Sequence, residues 1–132
     1  MRRSIPPLLF GALLFPGSAL AEDIYCSITP HGLDVPVAEQ LSIRLLPGQE
    51  ALVIDNLLAY ATDLPLEGQV VRSDEARLVV SWSFPLTFQG GETELMRSVL
   101  SMDRRSGDAT VTASFDHASN RFWGRGECVT RD

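Results

Sequence analysis

Lysine is absent from this chain, and all 11 basic side chains are arginines. A guanidinium stays protonated at any ordinary pH, so amine chemistry such as a Schiff base with a carbonyl substrate is excluded. Histidine is nearly as scarce, present only as His31 and His117. A catalytic zinc site usually takes three protein ligands. His31 sits between Pro30 and Gly32 with Asp34 close by, and His117 follows Asp116 in a separate turn segment. No metal site is expected from that pair. There is no Gly-x-Ser-x-Gly elbow to mark a serine nucleophile, and the 17 carboxylates fall at no spacing that singles out an acid-base pair. No catalytic residue and no cofactor is therefore expected, and the chain reads as a non-enzyme.

Long apolar runs are also missing. The stretch Leu8–Phe15 is about half of the roughly 20 residues that a membrane span requires. Arg2 and Arg3 precede it, Pro16-Gly17 breaks it, and the small residues Ser18-Ala19-Leu20-Ala21 follow. That order is the pattern of a secretory signal peptide over residues 1–21, cut after Ala21. A lipid-anchored product would place cysteine directly after the cut, whereas Cys26 lies five residues beyond it. Residues 22–132 are thus expected as one domain, periplasmic or secreted, with no membrane anchor. Nine arginines there face 17 acidic residues, a formal charge of −8. Such a surface repels nucleic acid and anionic lipid, so a cationic partner or an uncharged one is expected.

Only two cysteines are present, Cys26 and Cys128, near the two ends of the mature chain. In an oxidising compartment they are expected to pair. Closing a loop of that size stabilises a fold by up to about 4.7 kcal/mol in the chain-entropy account.

What the sequence does have is alternation. In Arg77–Phe84, the residues Leu78, Val80, Trp82 and Phe84 share one face while Arg77, Ser81 and Ser83 share the other, the mark of a half-buried strand. Comparable patterns run over 24–29, 41–46, 51–55, 57–62, 69–73, 93–102, 109–115 and 121–129. Turn chemistry at Pro47-Gly48, 63–68, 73–75, 89–91, 105–108 and 116–120 separates most of them. The fold class expected is all-β: a single antiparallel meander, closed as a small barrel or stacked as a sandwich of about eight short strands. Val37–Leu46 also carries apolar residues at helical spacing, so a short helix competes with a strand there.

Side-chain parity gives an independent check. Ile24, Cys26 and Ile28 share a face, as do Phe122, Gly124, Gly126 and Cys128, so both sulfurs point inward. A closed meander with an even number of strands brings its first and last strands together, antiparallel, and a bridge there staples the seam. Gly124 and Gly126 suit a bulge or a close backbone approach. On the opposite parity, Trp123 faces outward with Arg121 and Arg125. That trio is a candidate interaction surface, unless Trp123 simply covers a sheet end or stacks on an arginine of its own domain.

The start Ile24-Tyr25-Cys26 after a signal peptide, the segment Phe122-Trp123-Gly124-Arg125-Gly126 and the near-terminal Cys128 together resemble the periplasmic β-barrel inhibitors of C-type lysozyme. The resemblance covers the two ends of the mature chain, and the Ser-Gly-x-x-Tyr-like inhibitory loop of that family has no counterpart here. It implies a barrel that binds a cationic enzyme. The chain is also similar to the many short exported β proteins of proteobacteria that end in a Gly-x-Cys strand, which implies a fold and a location without an activity. The expected function is a monomeric, non-enzymatic binding or interaction module for a protein partner. A lipocalin-like carrier of a small apolar ligand, lined by Trp82, Phe84, Met96, Leu100 and Met102, is the alternative.

Overall fold

The computed structural model describes residues 22–58, 63–87, 89–116 and 120–131. The expected leader, residues 1–21, and His117 lie outside them. Eight strands follow one another: β1 (Glu22–Pro30), β2 (Gln40–Leu45), β3 (Glu50–Asp55), β4 (Leu66–Ser73), β5 (Arg77–Thr87), β6 (Thr93–Asp103), β7 (Asp108–Phe115) and β8 (Arg121–Arg131). Each pairs antiparallel with its neighbour, and β8 returns to β1, so the sheet is a closed barrel in strict chain order. Of the two architectures open from the sequence, the barrel is the one formed, and a strand rather than a helix occupies Gln40–Leu45.

Alternation fills the interior. Ile24, Ile43, Val53, Leu78, Val80, Leu100, Met102 and Val111 are fully buried and belong to one continuous core. An eight-stranded barrel has room for inward side chains and little else. Trp82 and Met96 are buried as well, while Phe84 is half-buried.

Closure depends on the seam between β1 and β8. The two strands run in unbroken register from Asp23 opposite Arg131 to Pro30 opposite Gly124, so no bulge interrupts them at the glycines. Instead the backbones come very close. A methyl group on Gly126 would overlap the Ser27 carbonyl oxygen, and one on Gly124 would sit 2.8 Å from that of Thr29. Cys26 and Cys128 face each other directly in this register, with their Cα atoms 4.0 Å apart and the bridge formed. Both are buried in the core. The register shift of the barrel falls elsewhere, at Val70/Arg72 in β4.

Two expectations need correction. Leu57 and Leu58 do not begin a strand. They belong to a turn after β3 in which the Leu58 N–H donates to the Asp55 carbonyl, and 59–62 lie outside the described residues. Leu66–Gly68, read as turn from its glycine, is the start of β4. Gly68 is there because Ser81 O and Val53 Cγ2 stand 3.0 Å from where its Cβ would be.

Substituting Gly126→Ala should destabilise the barrel by at least about 2 kcal/mol in urea unfolding, because backbone cannot yield as a side chain can. Gly90→Ala, whose methyl would meet only Glu92 Oε1 at 3.7 Å, should stay within about 0.5 kcal/mol of the parent. The paired substitution Cys26→Ser with Cys128→Ser should cost about 2–5 kcal/mol in the same assay.

Candidate functional site

The β1–β2, β3–β4, β5–β6 and β7–β8 connections share one end of the barrel, since consecutive strands alternate in direction. The first two build a groove there of about 510 Å3 between residues 29–39 and the 56–57 turn. Its walls are apolar: Pro30, Leu33, Val35, Val37, Ala38 and Leu57. Leu33 is 94% exposed at the loop tip, and Leu57 is 40% exposed on the facing turn. The charged residues in the lining are Asp34 and Glu39, both acidic.

The 31–39 loop is held in shape from both sides. Gly32 (φ 107°) and Asp34 (φ 55°) are in the left-handed region and set the bend that carries Leu33 outward. At the far end Val37 and Ala38 are buried in the core, and the Ile28 N–H donates to Glu39 O at 2.9 Å. At the near end the seam ladder runs straight on. The His31 N–H donates to Trp123 O at 2.8 Å, and the two rings stack with centroids 4.2 Å apart and planes 13° from parallel.

Trp123 and Arg125, two of the three outward residues expected to form an interaction surface, are therefore adjacent to this loop. The Arg125 guanidinium lies over the indole, 5.0 Å from its centroid, and Trp123 itself is half-buried. Trp123 thus buttresses the loop instead of offering a bare ring. Arg121, exposed at the start of β8, stands opposite Ser114 of β7. His31 finds a ring as its partner, one that lies far from it in the sequence.

The facing turn is fixed from inside. Asp55, the last residue of β3, is only 2% exposed. Its Oδ1 accepts the Leu57 N–H at 2.9 Å and its Oδ2 accepts the Trp82 indole N–H at 3.1 Å. Burial pushes this carboxyl up from its ordinary value, while the Trp82 and backbone N–H groups pull it part of the way back. Outside the core, the Asn56 N–H donates to Gln40 O and the Gln40 N–H to Asn56 Oδ1. Asp55 was not singled out in the sequence, although its parity with Ala51 and Val53 already turns it inward.

The arrangement is a groove whose loop and turn are each tied to the barrel. Among the described residues no group of three or more His, Cys, Asp or Glu is placed to hold a metal ion. No protein-family model matches the chain, and no curated protein or solved structure is significantly similar to it.

Because the Asp55 carboxyl is raised, the folded state takes up its proton more readily than the unfolded chain. Its contribution to stability is greatest at low pH and declines as pH rises from about 4 through the raised value. Asp55→Asn removes that dependence and presents an NH2 group to one of two donors, at a cost of about 1–3 kcal/mol. Urea unfolding of both proteins across this range should show the gap between them narrowing as pH rises.

Proposed function

We propose that the protein is a non-enzymatic binding module, exported to the periplasm or beyond, that acts as a monomer and holds a cationic partner protein at the loop end of its barrel. The observation that carries this reading is the groove: an apolar hollow with two acidic residues in its lining, built from a loop and a turn that are each pinned to the core. Preformed concave apolar surfaces are where partners bind most economically, since little freedom is lost on contact. The −8 charge of residues 22–132 would speed encounter with a basic protein and slow encounter with an acidic one. Export is supported by the leader pattern at 1–21 and by the Cys26–Cys128 bridge, a bond that persists outside reducing compartments.

The likeness of the chain's two ends to C-type lysozyme inhibitors makes a lysozyme of that class one cationic protein to test. A carrier of small apolar ligands is the weaker alternative, because the inward positions are occupied by buried side chains that pack on one another.

The test is retention of basic proteins from a periplasmic extract on immobilised protein, with Asp34→Asn combined with Leu57→Asp as the comparison. A basic protein held at low salt, released as salt rises and lost with the double variant is expected. Retention unchanged by the double variant would overturn the proposal. Titration calorimetry against a C-type lysozyme decides that specific partner.

A further inference from the structure

The groove's chemistry says more about its occupant than charge alone. Its apolar walls belong to the short span between Pro30 and Ala38 and to Leu57, and its volume of about 510 Å3 admits an aliphatic side chain with its flanking backbone. Asp34 and Glu39 are both exposed and line the same groove. Among the described residues no basic one lines it, so a charge carried by the occupant beside its apolar group would meet the two carboxylates. The Asn56 carboxamide accepts from the Gln40 N–H through its oxygen, and its NH2 group, on a residue of the same lining, is a donor for an acceptor on the occupant. A peptide carbonyl is such an acceptor.

We infer that the groove takes an extended segment of the partner with the pattern basic–aliphatic–basic, the aliphatic side chain entering between Leu33 and Leu57 and the basic ones meeting Asp34 and Glu39. This rests on the binding reading above and specifies what is bound. The aliphatic group supplies most of the affinity, since desolvated apolar contacts at the centre outweigh exposed charge pairs at the edge. The charges supply selection, because an acidic segment of the same shape is repelled. Leu33 and Leu57 are exposed in the free protein, and covering them is what the occupant contributes.

The experiment titrates the mature protein with four short blocked peptides, followed by amide chemical shifts: Gly-Arg-Leu-Arg-Gly, Gly-Arg-Gly-Arg-Gly, Gly-Glu-Leu-Glu-Gly and Gly-Gly-Leu-Gly-Gly. The Arg-Leu-Arg peptide should shift residues 29–39 and 56–58, with a dissociation constant of about 1 mM or tighter. Replacing its leucine by glycine should weaken it about tenfold or more, and the Glu-Leu-Glu peptide should bind more weakly than the uncharged one. Asp34→Asn with Glu39→Gln should reduce Arg-Leu-Arg binding about fivefold and flatten its salt dependence. Asparagine tolerates the left-handed backbone at 34, so this variant keeps the loop. Equal binding of the arginine peptides with and without leucine would overturn the inference, as would a preference for the acidic peptide or shifts confined to another face. Silence from every peptide, with groove-dependent retention of a basic protein still present, would overturn the segment pattern and leave the binding module standing. Loss of both would remove the two together.

Discussion

The barrel depends on how closely β1 and β8 can approach. Side chains inside an eight-stranded barrel leave little slack, and at Gly126 the Ser27 carbonyl occupies the space that any Cβ would need. The bridge between Cys26 and Cys128 lies on the same inward row and ties the strands at that separation. Closure gives each of the eight described strands a neighbour on both sides, which protects them from edge-to-edge association. The same ladder then delivers the loop. Thr29 opposite Arg125 and Pro30 opposite Gly124 lead directly to His31 on Trp123, so the contact that closes the fold also orients the start of the loop that walls the groove.

Of the charged contacts, that of the one buried carboxylate among the described residues, Asp55, matters most. The ion pairs Asp23–Arg44, Arg72–Asp74 and Arg97–Asp116 are solvent-exposed, and such pairs contribute about 0–1 kcal/mol each. Arg104 is better sheltered where it bridges Glu22 and Ser73. Asp55 is different in kind, because it is buried beside apolar side chains and accepts two N–H groups that would otherwise be unpaired. Burying a carboxylate is costly, and an apolar residue could fill the space. What an apolar residue could not do is hold Leu57 and Trp82 at once. The price of burial is the positioning of one wall of the groove.

Much of the fold was legible in the sequence because strands advertise themselves by period. Leu78, Val80 and Trp82 alternate with Arg77, Val79 and Ser81, and the same parity put both sulfurs inside. Where a side chain decided the backbone, periodicity misled. Leu57-Leu58 looked like the start of another strand, but Asp55 folds them into a turn and Leu58 is buried by it. Gly68 looked like a turn residue and is a strand residue, since only the folded barrel reveals that Ser81 O lies against it. The site was less legible still. Its walls come from two connections that share no pattern, and nothing in the sequence singles out Leu33. Trp123 and Arg125 were visible as an outward pair, but their contact with the loop follows from a register no single strand contains.

Glu22 begins β1 and Arg131 ends β8 at the end of the barrel opposite the groove, with Asp23 and Arg131 side by side in the ladder. A tag, a linker or a solid support joined at Glu22 or Arg131 therefore starts on the side away from the groove. Immobilised by its tail, the molecule stands upright with its mouth open to solution.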